Sequence, residues 1–260
     1  MDTIVVERGS GEGAEGVVTV TLDRPEKRNA IDEQMAGELL ETFREIEARA
    51  DDRVLVLTGG GDAFCSGADL TAGVADVHAL VYMRRIGAVA LALLNLTKPT
   101  IAKVRGVAAG AGCNMALACD LVVASDAARF TQIFAKRGMV VDFGGSWLLP
   151  RLVGMQRAKE LAFFGDFVSA DEARDIGLVN RVLPDAELDA FTDEWAARLA
   201  AGPPLALSMT KAMLGRSFET SIEQALEDEA RCQAVCIGSK DTREAIKAFV
   251  EKRPPVFRGR

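Results

Sequence analysis

Three short segments of this chain hold residue types whose spacing could do chemistry. The first is Ala63-Phe64-Cys65-Ser66-Gly67-Ala68-Asp69-Leu70, which follows an apolar run and the triplet Gly59-Gly60-Gly61. A Gly-Ala step here reads as the opening of a helix. Amides at a helix start lack an internal partner and can face an anion. A left-handed turn with an aspartate in the first helical turn is the plainer reading. The second segment, Gly106-Val107-Ala108-Ala109-Gly110-Ala111-Gly112-Cys113-Asn114, has the same logic of strand, small-residue turn and helix. Two such turns can aim two N–H groups at one oxygen, forming an oxyanion hole. A dinucleotide-binding G-x-G-x-x-G fails because its third glycine position holds Met115, and no phosphate-binding G-x-x-x-x-G-K-[ST] occurs. The third segment, Gly138 to Trp147, places Asp142 among Val140, Val141 and Phe143 and ahead of Gly144-Gly145. Burial there raises a carboxyl pKa, whereas a helix N-terminus lowers it. In a dry site burial wins and Asp142 is a base near neutral pH. A helix-capping aspartate is the alternative.

The rest of the composition narrows the chemistry. Among 260 residues there is one histidine, His78, so no site can hold two histidine ligands. Lys+Arg 31 against Asp+Glu 38 gives a net charge of −7, with no basic patch for nucleic acid. The five cysteines, Cys65, Cys113, Cys119, Cys232 and Cys236, are odd in number and scattered, which argues for reduced thiols over a disulfide framework. Cys232 and Cys236 stand i, i+4 on a predicted helix, a spacing that binds metal only with other ligands nearby. His78 reads as a surface residue and Asp120 as a turn-fixing one. Met1-Asp2-Thr3-Ile4 lacks the start of a signal peptide, and the apolar stretch Ile86 to Leu96 is about half a bilayer span. A cytoplasmic protein without membrane or nucleic-acid partners is expected.

These segments need elements to position them. The β-branched run Val17–Leu22 predicts a strand that ends at Asp23-Arg24-Pro25. Ile31, Met35, Leu39, Phe43 and Ile46 predict an amphipathic helix over about 32–50. Val54–Leu57, Thr100–Val104 and Leu121–Ala124 read as strands, and the unbroken apolar run of the first suggests burial on both faces. Helices are predicted over about 76–95 and 113–118. From Met155 onward the chain reads as helical over 156–164, 170–176, 188–201, 203–214, 222–236 and 242–251, with one strand at 178–182. Pro203-Pro204 is the best internal boundary. It divides an α/β core, residues 1–202, from a helical region, residues 203–260.

Taken in order, the motifs resemble the crotonase (enoyl-CoA hydratase/isomerase) superfamily. The resemblance spans about residues 17–260. It rests on Leu22-Asp23-Arg24-Pro25-Glu26-Lys27-Arg28-Asn29-Ala30, Phe64 to Leu70, Lys98-Pro99-Thr100-Ile101-Ala102 and Gly106 to Asp120. It continues in Gly144-Gly145-Ser146 with Leu149-Pro150-Arg151, and in Phe249-Val250-Glu251-Lys252-Arg253. The resemblance implies an α/β fold, the crotonase (ClpP-like) spiral of ββα units, with C-terminal helices that assemble a homotrimer or a dimer of trimers. It implies an acyl-CoA thioester as substrate, with coenzyme A as part of that substrate and no prosthetic group or metal. The amides of Ala68 and Ala111 would hold the thioester oxygen. The family usually has glycine at the second of these, and alanine keeps the N–H but adds a Cβ. Arg24, Arg28, Ala30, Ser66, Asp69 and Leu70 would form the CoA-binding wall, with Phe249 and Lys252 at the nucleotide end. The segment from Thr71 to Met83 would line the acyl tail.

One departure redirects the chemistry. Hydratases of the family carry two glutamates, where this chain has Asn114 and Phe134, and residues 48–159 contain no glutamate at all. Asp142 remains, at the position where isomerase and dehalogenase branches place an aspartate. The run Asp142 to Arg151 is most similar to the ring-epoxide phenylacetyl-CoA isomerase branch. A double-bond shift needs a proton moved from one carbon to another, which one carboxylate can do. The expectation is an enoyl-CoA isomerase with Asp142 as base and Asn114 orienting substrate or water. The alternatives are an enoyl-CoA hydratase, a non-catalytic acyl-CoA-binding protein, and a nucleophilic Asp142. Phe134 is expected as a pocket wall, and Trp147 as either core or acyl-pocket lining.

Overall fold

The structure, a computed structural model, describes residues 1–11, 13–71 and 77–260. The expected helix start at Asp76, and Gly73 in the expected acyl-lining segment, lie outside the described residues. The chain opens with β1 (Ile4–Arg8) and β2 (Val17–Leu22), which pair antiparallel. In β2, Val18, Val20 and Leu22 are fully buried and the alternate residues half-buried, so one face meets the core. Helix α1 (Glu33–Ala48) follows, its first turn capped by Asp32, whose carboxylate accepts from the Met35 amide. It buries Met35, Leu39, Phe43 and Ile46, the expected stripe.

The next elements repeat one pattern. Strand β3 (Val54–Gly59) is followed by the short β4 (Ala63–Cys65) and then α2 (Ala79–Leu94). Strand β5 (Thr100–Val104) is followed by β6 (Val107–Ala109) and α3 (Ala111–Leu117). Strand β7 (Leu121–Ser125) is followed by β8 (Arg129–Thr131), α4 (Gly145–Val153) and α5 (Met155–Phe164). Strand β9 (Val168–Ser169), α6 (Ala170–Asp175), β10 (Arg181–Leu183) and α7 (Leu188–Ala200) complete this part. The first strand of each repeat joins a six-stranded sheet of order β1-β2-β3-β5-β7-β10, and the second a four-stranded sheet of order β4-β6-β8-β9. Each ββα repeat therefore forms one turn of a spiral, with its loops stacked on those of the next.

Strand β3 is buried on both faces. Leu55 and Leu57 enter the main core with α1 and α2, while Val54 and Val56 face Ile101, Val123 and the underside of α7. Residues 204–251 form α8 (Pro204–Arg216), α9 (Ile222–Gly238) and α10 (Lys240–Glu251). Asp241 straps the final segment back, accepting from the amides of Arg258 and Gly259 at 2.8 Å each. Among the described residues no helix is long and apolar enough to cross a membrane.

Several expectations are corrected. The strand expected at 178–182 is β10 at Arg181–Leu183, because Leu178 and Val179 instead donate their amides to the Ala173 carbonyl at the end of α6. The turn expected over 106–112 contains β6, and Ala63–Cys65 is a strand as well. Three-residue strands are too short to show a period. The helix expected from Cys113 begins at Ala111.

Candidate active site

The two glycine-containing segments meet. Gly67 has φ +99°, and a Cβ on it would stand 3.0 Å from the Ala109 carbonyl oxygen and 3.8 Å from the Ala111 nitrogen. A Cβ on Gly112 would lie 2.4 Å from the Cys65 carbonyl oxygen, closer than backbone tolerates. Only glycine at these positions lets the two turns touch. The first turn is not a helix start. Ala68 forms an isolated bridge with Ile31, in which the Ile31 amide donates to the Gly67 carbonyl and the Asp69 amide to the Ile31 carbonyl. The intervening Ala68 amide finds no backbone acceptor among the described residues. The Ala111 amide, first of α3, is equally unpaired there. The extra Cβ of Ala111 is accommodated because Gly110 (φ 53°, ψ −123°) takes the unusual backbone angles, leaving Ala111 helical.

Asp142 is held to the same helix by backbone. Its main-chain carbonyl accepts from Asn114 Nδ2 at 2.8 Å and from the Gly145 amide at 2.9 Å. Asn114, fully buried on α3, accepts in turn from Gln132 Nε2 at 2.8 Å. A Cβ on Gly145 would fall 2.3 Å from Asn114 Nδ2, so glycine is what admits this amide. Phe143 is left-handed (φ 49°) and buried, and Gly144 (φ 78°) caps α4. The helix-cap reading of Asp142 is therefore set aside. Its carboxylate bonds no amide, and Oδ1 is buried without a partner among the described residues. Burial pushes the Asp142 carboxyl up to about 6. Of its neighbours, Val140 is 85% exposed, whereas Val141 and Phe143 pack into the core.

Two neighbours were missed from sequence. Gln132 follows a three-residue strand, and nothing in its local pattern marks it. It is buried, with Oε1 unpartnered among the described residues. Tyr82 on α2 is half-buried. Burial raises its hydroxyl pKa, and the charges of Glu33, Asp142 and Asp32 raise it further. Glu33 is paired with Arg85, and Asp32 with Arg24, so Asp142 is the unpaired carboxylate of the three.

The expected CoA wall is brought together in part. Arg24 donates to the Ala30 carbonyl at 2.6 Å and pairs with Asp69 at 3.0 Å. Ser66 donates its amide to the Arg28 carbonyl at 3.0 Å and its hydroxyl to the Lys27 carbonyl at 3.2 Å. Bonds from the Thr71 hydroxyl and amide, then Arg24, hold the Asp69 carboxyl down at about 2. Arg24 and Asp69 thus spend their polar groups on joining the 24–32 loop to the Ala68 turn. Leu70 is exposed. Phe249 projects 84% exposed from α10, and the bonds of Arg24, Ser66 and Asp69 involve neither it nor Lys252. Phe134 is buried against the Gly110 position. Trp147 faces outward under the Arg151 guanidinium, donating to Glu219 at 3.0 Å. His78 caps α2 by accepting from the Leu80 amide. Asp120 accepts from the Thr100 amide and pairs with Lys211. The thiols of Cys65, Cys113 and Cys119 are buried and pushed up to about 12 by desolvation.

Comparisons with known proteins agree with this architecture. The family model described as enoyl-CoA hydratase/isomerase matches residues 12–260. A probable enoyl-CoA hydratase of Rhodobacter capsulatus is 41% identical, covering 96% of this chain and 97% of its own. The 1,2-epoxyphenylacetyl-CoA isomerase of Escherichia coli is 36% identical, covering 94% and 96%. The crystal structure of an enoyl-CoA hydratase from Bacillus anthracis superposes with a TM-score of 0.94 at 31% identity, over 99% of this chain and 100% of that one.

Proposed function

The chain belongs to the enoyl-CoA hydratase/isomerase family, of crotonase fold, and from that premise we propose that it shifts a double bond in an enoyl-CoA thioester with Asp142 as its single base. The observation that carries this reading is the Asp142 carboxylate: partly dry, unpaired at Oδ1, with a pKa near 6, and tied through Asn114 to the helix whose first amide is unpaired.

In this reading the thioester oxygen sits between the Ala68 and Ala111 amides. Asp142 removes a proton from the carbon next to the thioester carbonyl of a 3-enoyl-CoA. The electron pair moves into the carbonyl, and negative charge gathers on the oxygen. Preorganised N–H donors stabilise that charge, each worth about 10²–10³ in rate. The carboxylic acid so formed returns its proton to the far carbon of the allylic system, which leaves the 2-enoyl-CoA. Asp142 ends as it began, and no water enters the products. Coenzyme A is carried as part of the substrate, along the loop of Arg24, Arg28 and Ala30 with Ser66, Asp69 and Leu70. Phe249 and Lys252 would meet its nucleotide end. Asn114 positions the base instead of touching the reacting atoms.

A second reading, hydration of 2-enoyl-CoA, is favoured by the name of the Rhodobacter capsulatus relative. It would require this lone carboxylate to activate water and deliver a proton as well. One assay series separates the two. Purified protein and the Asp142→Asn variant are given 3-enoyl-CoA, with conjugation followed, and then 2-enoyl-CoA, with hydration followed. Conjugation lost in the variant is the expected result. Unchanged conjugation in the variant removes Asp142 as base, and faster hydration than conjugation in the wild type establishes the second reading.

A further inference from the structure

The pair Cys232 and Cys236 is left unused by the proposed reaction. Helix α9 packs antiparallel-fashion beside α8 across the short 217–221 turn, and one cavity of about 280 Å³ opens between them. Cys232 and Cys236 line it from α9 beside Glu229, and Met209 and Met213 line it from α8 beside Thr210. Both pairs have i, i+4 spacing, which sets their Cβ atoms about 5–6 Å apart on one face. All four residues are half-buried, while Ala212 and Leu214 on α8 and Val235 and Ile237 on α9 are exposed. The sulfur-bearing faces of the two helices are thus turned toward each other.

We propose that this cavity is a binding site for a soft monovalent cation of the copper(I) or silver(I) type, held by the sulfurs of Cys232 and Cys236 and supported by Met209 and Met213. Thiolate and thioether donors select such ions over harder ones. Methionine, with three rotatable bonds, has the freedom to turn its sulfur inward. The other three cysteines are fully buried and stay out of reach in the folded protein.

Silver(I), which needs no reductant, is the probe. It is titrated calorimetrically into the folded full chain against glutathione as competitor. The expected result is one tight equivalent per chain and a raised Tm. Cys232→Ser with Cys236→Ser should weaken that site at least 100-fold. Met209→Leu with Met213→Leu should weaken it about tenfold at unchanged stoichiometry. Absence of a tight equivalent, or its survival in the double serine variant, overturns the site. Indifference to the leucine pair overturns the thioether share. Asp142→Asn should bind silver as the wild type does, so this result and the assignment of the base are read independently.

Discussion

The two halves of the site are built from different material. The proposed oxyanion half is backbone: two amides left over when Gly67 and Gly112 let adjacent turns touch. It carries no titratable group, and its geometry is inherited from the stacking of spiral turns. The proposed base half is one carboxylate whose reactivity would depend on dryness and on side chains from elsewhere, Asn114 on α3 and Gln132 beyond β8. The first half should be insensitive to pH and vulnerable where an amide is lost or where Gly67 or Gly112 gains a side chain. The second should respond to pH and to distant substitutions.

The largest expected effect breaks the base half. Asp142→Asn should lower kcat for conjugation by about 10²–10⁴. It should also stabilise the protein. A carboxyl raised from 3.8 to about 6 on folding favours the neutral form, so Asp142 costs nothing below about pH 4, destabilises progressively between about pH 4 and 6, and costs a constant amount above that. Urea unfolding should therefore show the variant about 1–3 kcal/mol more stable at pH 8 and no different near pH 4. Ala111→Pro breaks the backbone half by deleting one donor at a first-turn position that tolerates proline. A loss of about 10²–10³ in kcat is expected, with the pH profile unmoved.

Two subtler changes sharpen the contrast. Wild-type kcat/KM should fall as pH drops through about 6, and a flat profile over pH 5–8 would dissociate Asp142 from the rate. Gly145→Ala pushes a Cβ into Asn114, and so should cost roughly tenfold in kcat and about 1–3 kcal/mol in Tm-derived stability, typical of overpacking. Gln132→Met, which removes the donor to Asn114 Oδ1 and to the Cys113 sulfur, should change kcat several-fold and stability by about 1 kcal/mol. It should also shift the apparent pKa of the rate, which a purely structural loss would leave in place.

The same division explains what could be read from the chain. Strands at 17–22 and 100–104 have their expected bounds, because β-branched runs between turn residues carry a local signal. The glycine turns were legible for the same reason, though a helix was expected at Ala68. The bridge to Ile31 is a long-range contact that no local pattern records. Asp142 stood out because no glutamate competes with it. Gln132, Tyr82 and the exposure of Val140 were illegible, since each depends on which turn of the spiral stacks on which. The i, i+4 cysteines were visible, but their methionine neighbours became apparent only once α8 lay beside α9.

Cys65 has a use beyond packing. Its sulfur lies beneath the contact between the two turns, 2.6 Å from where a Gly112 Cβ would be. A thiol reagent can reach it only while those turns are apart. In a chain with the other four cysteines replaced by serine, the labelling rate of Cys65 becomes a clock for how often the proposed anion cradle breathes open. A bound thioester should slow that clock in proportion to its occupancy.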